Sequence, residues 1–265
     1  MGRAIEVISG RVTNSNSVLT ALTMNTGNTL QVRNAPFEKK VKLIGAWANF
    51  QVDGFFQIRS PRLHDNVRGL RFAVNALSPQ NVLNPFFPQD LIPQDNLTVE
   101  VFSADAAGDV NNVAMLLYYE DLPGVNAKLV TPDFVLSHWV NLWTVDATLA
   151  TTATGDWGGE ETLIAESDLS KANTDYALIG FQINANCAAV RWRGSDLGNL
   201  GVGAPGNALH PEKNGRFFWD LSELTGLPCI PVFNSANRGA VLIDAAQDES
   251  GTDVEVTSIF VQLAP

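Results

Sequence analysis

The chain has 265 residues, 45% of them hydrophobic and only 17% charged, against a usual charged share of roughly 25%. That length buries a full core without disulfide or metal staples, and it suits either two units of about 130 residues or one large all-β unit. The formal charge is −11, which argues against a phosphate-binding footprint and against adsorption to anionic lipid, since both need a surplus of Lys and Arg.

The charge is unevenly spread. Residues 1–132 carry eleven Lys/Arg and eleven Asp/Glu, whereas residues 133–265 carry six and seventeen. A surface so poor in charge implies that partners cover much of it. The two cysteines, Cys187 and Cys229, are too few for a disulfide framework and read as buried free thiols. The opening MGRAIEVISGRV lacks the apolar core of a signal peptide, and Glu6 stands where a myristoylation signal needs Ser or Thr. No run approaches the ~20 apolar residues of a membrane-spanning helix. These features predict folding in a reducing cytoplasm.

Taken in order, residues 1–15 read as an arm leading into a polar tract at 13–17. Val18–Met24 can form a strand, Asn25–Asn28 a turn, and Thr29–Arg33 a short strand stopped by Asn34-Ala35-Pro36. Lys42–Ser60 (KLIGAWANFQVDGFFQIRS) reads as a long hairpin turning at Asp53-Gly54. Arg62–Arg71 is a loop holding Arg62, His64, Arg68 and Arg71. Such a cluster can grip an anion, or it is simply a solvated or inter-subunit charged loop. Leu70–Val74 returns to strand. Within the long connection Pro79–Pro93, PFFPQDL at 85–91 suggests an apolar plug and a short helical turn. Leu97–Ser103 alternates, with Leu97, Val99 and Val101 on one face. Val113–Tyr119 is apolar on both faces and predicts a central, doubly covered strand. Residues 124–136, with Pro132, read as a connection between two units.

The second half repeats this order. Ala177–Ser195 (ALIGFQINANCAAVRWRGS) aligns Leu178-Ile179-Gly180 with Leu43-Ile44-Gly45 and Asn184 with Asn49, both at a shift of 135; Arg193 aligns with Arg59 at 134. Thr154-Gly155 and Thr162-Leu163 echo Thr26-Gly27 and Thr29-Leu30. Asn199–Gly206 reads as a Gly-rich loop. Phe217–Leu221 matches the earlier Phe-Phe plug, with Asp220–Leu224 as a short helix. Ala240–Ala245 and Val254–Leu263 read as a closing hairpin, equivalent to the strands around 97–103 and 113–119. In an alternative register, Val232–Ala236 corresponds to Val101–Ala104. Shared order across these landmarks predicts duplication of one β unit of about 130 residues.

Short strands at regular spacing, long loops and almost no amphipathic helix predict an all-β fold: two tandem jelly-roll barrels, each with a short helix before its closing hairpin. The expected division is an arm at 1–15, a first jelly roll at 16–126 and a second at 127–265. In this respect the chain resembles the double jelly-roll major capsid proteins of tailless icosahedral viruses with an internal membrane, of tectivirus and corticovirus type. The resemblance covers roughly residues 16–265 and rests on architecture and length. It implies a structural capsid protein, not an enzyme. It further implies a homotrimer whose six barrels make a pseudo-hexagonal tile, contacts with neighbouring capsomers and minor capsid proteins, and a membrane beneath the shell. No direct nucleic-acid binding is expected, and the chain would assemble in the host cytoplasm into a virion.

The search for chemistry returns no catalytic, cofactor-binding or metal-binding residues, and no cofactor. A bicupin, also two β barrels, needs clustered His with a carboxylate, but His64, His138 and His210 lie far apart. No Gly-x-Ser-x-Gly, His-Glu-x-x-His or Walker sequence occurs. Asp248–Asp253 gathers carboxylates around a Gly without the closing Glu of an EF-hand loop and reads as a turn. Five of the six Trp (139, 143, 157, 192 and 219) lie in the second half. Buried, they serve a core; exposed, they suit the rival reading of a two-domain binding module, lectin-like or a virion spike or decoration protein.

Overall fold

The computed structural model describes residues 2–13, 15–24, 32–33, 40–61, 63, 67–75, 81–82, 88–104, 109–125, 127–150, 152–153, 156–163, 172–185, 187–206, 211–247 and 253–265. In the N-terminal half the strands are β1 (Gly2–Thr13), β2 (Thr20–Ala21), β3 (Thr23–Met24), β4 (Val41–Asn49), β5 (Gly54–Arg59), β6 (Leu70–Val74), β7 (Asn81–Val82), β8 (Gln89–Leu91), β9 (Thr98–Ser103) and β10 (Val110–Leu122). The C-terminal half continues with β11 (Lys128–Val130), α1 (Pro132–Ser137), β12 (Trp139–Leu149), β13 (Trp157–Thr162), β14 (Asp175–Ile183), β15 (Cys187–Arg193) and β16 (Val202–Gly206). It ends with α2 (Pro211–Asn214), α3 (Phe217–Thr225), β17 (Ile230–Asn234), β18 (Leu242–Gln247) and β19 (Val254–Leu263).

The fold is all-β and jelly-roll-like, with four antiparallel sheets among the described residues. One N-terminal sheet runs β3-β1-β10-β4-β7, with β8 also on β4, and the other runs β2-β9-β5-β6. The C-terminal sheets run β11-β17-β14-β19-β12 and β13-β18-β15-β16. The strand orders correspond: β12, β19 and β14 stand where β1, β10 and β4 stand, and β18, β15 and β16 where β9, β5 and β6 stand. The placing of Ala240–Ala245 and Val254–Leu263 opposite the last two strands of the first half therefore holds, and the alternative through Val232–Ala236 does not.

Several expectations are corrected. Residues 2–13 are not an arm. They form β1, which pairs along its length with β10 and is buried from Ala4 to Gly10; its Gly, Arg and Ser interrupt the apolar run without breaking the ladder. The hairpins are not hairpins either. β4 pairs with β10 (Ala46 opposite Met115) while β5 pairs with β9 (Phe56 opposite Val101), so the chain arches from one sheet to the other. The same holds for β14 to β15, β9 to β10 and β18 to β19. Local sequence shows strand, turn, strand in either case; only the core decides whether the second strand lies beside the first or across from it.

Gln89–Leu91, expected to be helical, is a strand on β4, with Leu91 opposite Val41; Pro85–Phe87 lies outside the described residues, as do 25–31, 154–155 and 248–252. Asn199–Gly206 is not a loop throughout, since Val202–Gly206 is strand β16 on the edge of its sheet. The helix expected at Asp220–Leu224 is present within α3, which ends at Gly226 in the left-handed conformation, φ 69°, where a residue without Cβ is unstrained.

β10 is the centre of the N-terminal half. Val113–Tyr119 is fully buried, with β1 on one side and β4 on the other. Near its C-terminal end sits a polar knot: Tyr119 donates to Glu6 (3.0 Å), and Glu6 takes a two-pronged pair from Arg33 at 2.8 and 2.5 Å. The hydrogen bond to Glu6 raises the Arg33 pKa.

Burial raises the Tyr118 and Tyr119 phenols above the ordinary value of 10.0, and the neighbouring Glu6 carboxylate adds to the rise at Tyr119. In the unfolded chain both ionise near pH 10, so above that pH the folded state holds more protons. Stability is therefore full below pH 10 and falls as pH rises, by about 1.4 kcal/mol per pH unit for each phenol. Denaturant titrations at pH 9 to 11.5 should show this slope, and Tyr119→Phe should reduce it.

The two halves meet face to face. The β1-β10-β4 face of the first packs on β15 and β16 of the second. Val7 N donates to Gly201 O (2.7 Å), and Trp47 Nε1 donates to Ala188 O (2.8 Å). A Cβ at Gly203 would stand 2.3 Å from Val7 Cγ1, so glycine is what lets β16 approach β1. Trp47 also meets Phe217 of α3 edge-on at 6.5 Å. Thus a sequence stretch that looked like a pliant loop is the surface on which the first half rests.

Candidate functional site

The molecule's most distinctive surface starts at α1. Thr131 caps it, accepting from Phe134 N, and a Pro begins it, as suits a short helix whose first N–H groups need no intrahelical partner. Val135 is buried, and Leu136 points outward. β12 follows at once. Its second half alternates as a one-sided strand should: Val145, Ala147 and Leu149 are buried, while Thr144, Asp146 and Thr148 are exposed.

Its first half breaks that rule. Trp139 is 46% exposed, Val140 39% and Leu142 53%, and Leu136 near the end of α1 is 60% exposed. β12 is the last strand of its sheet, so one of its edges has no strand beside it among the described residues. Large side chains of this kind crowded on a free sheet edge mark an interaction surface. The equivalent strand in the first half, β1, has its outer face buried against β16. The apolar patch therefore lies where the other half of the molecule is covered.

A second surface lies on the outer face of β5, β6 and β9. Phe56 and Ile58 point into the core, which turns Phe55, Gln57 and Arg59 to the other face, where Phe55 and Arg59 are partly exposed and Gln57 is buried. Phe55 stacks on Phe102 with centroids 5.1 Å apart, and the Arg71 guanidinium lies 4.3 Å over Phe55. Arg59 grips Glu100 with two hydrogen bonds, at 3.0 and 2.9 Å; Gln57 donates to Glu100 (2.6 Å) and accepts from Arg71 (2.9 Å). This lattice holds two half-buried rings stacked on each other, at the place in the first half that β15 and β16 occupy in the second.

The residues weighed as chemical sites do not assemble. His64 and His210 lie outside the described residues. His138 ends α1, with its ring stacked on Phe134 at 4.2 Å. Among the described residues no three His, Cys, Asp or Glu gather closely enough to hold a metal. Of the basic loop, Arg62 is not described, Arg68 is exposed, and Arg71 is engaged as above. Cys187 and Cys229 are both buried and not joined in a disulfide, and burial pushes the Cys229 thiol up to about 12, far from a reactive thiolate.

A cleft of about 580 Å³ is lined by Arg3, Lys40, Glu120, Asp121 and Lys128. Lys40 is paired with Glu120 (3.0 Å) and Asp121 (3.3 Å), and Lys128 with Asp175. Its lysines are thus neutralised in place.

Sequence reasoning left Trp139 open between a buried core and an exposed binding surface, and did not single out Leu136 or Leu142. The available signal was the contrast inside one strand, where WVNLW is apolar at successive positions and TVDATL alternates strictly. Trp47, Trp157 and Trp192 are buried as core residues.

No protein-family description matches the chain, and neither does any curated protein. Two solved structures align over most of it. The crystal structure of PBSX exported protein XepA aligns at 13% identity and TM-score 0.22, covering 94% of this chain and 88% of that one. The cryo-EM structure of Broad Bean Stain Virus aligns at 10% identity and TM-score 0.20, covering 99% of this chain and 88% of that one. Similarity at this level carries no argument about activity.

Proposed function

We propose that the chain is a structural capsid protein of double jelly-roll type, with one barrel over residues 2–126 and the other over 127–265. It acts by self-association, three copies forming a pseudo-hexagonal tile in an icosahedral shell. Its partners on this reading are neighbouring capsomers and minor capsid proteins, with a membrane beneath the shell and no direct contact to the genome. It works in the virion, after assembly in the host cytoplasm, and catalyses nothing.

One observation supports this reading above the rest. The same strand order occurs twice, the outer face of one copy is buried by the other, and on the corresponding edge strand of the second copy Trp139, Val140 and Leu142 stay exposed. A protein that functions alone has no use for such a patch, because large exposed apolar patches favour association. A tile needs contact on every side, and a surface with 17% charged residues suits that need. The acidic second half suits a shell separated from nucleic acid.

Electron microscopy of the purified chain tests the proposal. The expected images are plates with threefold symmetry and a near-hexagonal outline; compact single particles without symmetry at every concentration contradict it.

A further inference from the structure

We infer that the free edge of β12, from Trp139 to Thr144, docks an extended segment of a different protein. That segment carries a short apolar run flanked by Lys or Arg, and it joins the sheet as one further strand. The inference goes beyond the capsid proposal and is tested apart from it. The added strand lies in the plane of the sheet, so the outer side chains, Leu142 among them, remain open to a neighbouring copy.

β12 is bonded to β19 along one side, with a single register shift at Val140. Among the described residues, no backbone group from Trp139 to Thr144 has a partner on the other side. The equivalent strand of the first half has main-chain partners on that side. On β1, Val7 N donates to Gly201 O (2.7 Å), Arg3 bridges Ala127, and Gly10 and Arg11 pair with β3. Open edges are usually blunted by a charged side chain or a proline. The run from Trp139 to Thr144 (WVNLWT) holds neither. Unpaired N–H and C=O groups in a row select an extended main chain as the occupant.

The side chains define its chemistry. Trp139, Val140 and Leu142 are exposed, and apolar residues laid beside them leave water together with them. Exposed carboxylates stand at both ends of this stretch. Asp133 lies ahead of it on α1, and Asp146 lies beyond it, with Glu255 close by on β19. Among the described residues none of the three is ion-paired; Asp146 only accepts from Thr257 Oγ1 (2.6 Å). Acidic ends around an apolar middle match a segment with basic flanks, and such complementarity steers encounter and fixes the partner. A second copy paired edge to edge would bring Asp133 and Asp146 against their own kind, which is unfavourable.

A synthetic peptide with a run of Val and Tyr between paired lysines is the probe. On binding to the purified chain it should slow hydrogen exchange at amides between Trp139 and Thr144. Two further peptides serve as controls. One has Glu in place of Lys. The other is N-methylated at alternate residues of the run and lacks the donors that a ladder needs. Both should bind more weakly by about tenfold or more. Asp133→Lys combined with Asp146→Lys, both at exposed positions, should weaken the lysine peptide by a similar factor and leave the melting temperature unchanged.

No binding, equal binding of the three peptides, or protection confined to other segments overturns the inference. So does a photo-crosslinking residue in place of Trp139 that, in the chain alone, links to 139–144 of another copy, because a second copy then fills the edge. None of these results touches the capsid proposal. Peptide binding by a chain that stays monomeric upholds the inference and removes that proposal.

Discussion

Trp47→Ala is expected to destabilise the protein by about 3–5 kcal/mol, the usual range for removing a buried Trp. Trp47 is 3% exposed and belongs to β4, yet its hydrogen bond and its ring contact reach into the other half. Its indole N–H donates to Ala188 O at 2.8 Å, and its ring meets Phe217 edge-on. Alanine leaves a cavity at the junction and an unmatched carbonyl on β15. Because the lost contacts join the halves, the loss should also reduce their cooperativity, so that a single unfolding transition in urea splits into two. Trp47→Phe keeps most of the packing and loses only the hydrogen bond, with an expected cost of about 1 kcal/mol. Equal losses in the two variants would show that the ring is not packed across the junction.

Asp244→Ala is the second large effect, again about 3–5 kcal/mol. Asp244 holds Arg191 through two 2.7 Å hydrogen bonds, with the two side chains 3% and 10% exposed. The Arg191 guanidinium also lies 4.0 Å over the Trp157 ring. Removing the carboxylate strands a buried cation between strands β15 and β18. Replacing both partners, Arg191→Met with Asp244→Leu, should recover most of the loss, because a buried pair is costly to break but contributes little over well-packed apolar side chains. Thermal melts of the two single variants and the double variant form the cycle that measures the coupling. Additive losses would contradict the pairing.

How much of this was legible beforehand differs element by element. Val113–Tyr119 announced itself as a central strand because residues apolar on both faces have no other stable place in a sheet protein. Leu97, Val99 and Val101 showed their buried face through strict alternation, and the short helix read at Asp220–Leu224 falls within α3. Strand partners were not legible. The Asp53-Gly54 turn fits a hairpin as well as an arch, and the difference lies in contacts more than forty residues away, such as Phe56 with Val101. The strand character of Gly2–Thr13 was hidden for a similar reason, since its ladder is completed by β10, over a hundred residues later.

The candidate site was half legible. That Trp139 and its neighbours were unusual could be read from the sequence; that they are exposed could not, because burial depends on where β12 falls in its sheet. The aromatic pair Phe55–Phe102 was not legible at all. Each ring sits in an ordinary alternating strand, and only the pairing of β5 with β9 brings the two together.

On the capsid proposal, two look-alike halves in one chain form a unit built to join copies of itself. Native mass spectrometry of the purified protein over a range of concentrations tests it most directly. The account predicts a dominant species at three times the 28.6 kDa chain mass, dissociated by Leu142→Asp. A single species at the mass of one chain throughout, unchanged by that substitution, would contradict it.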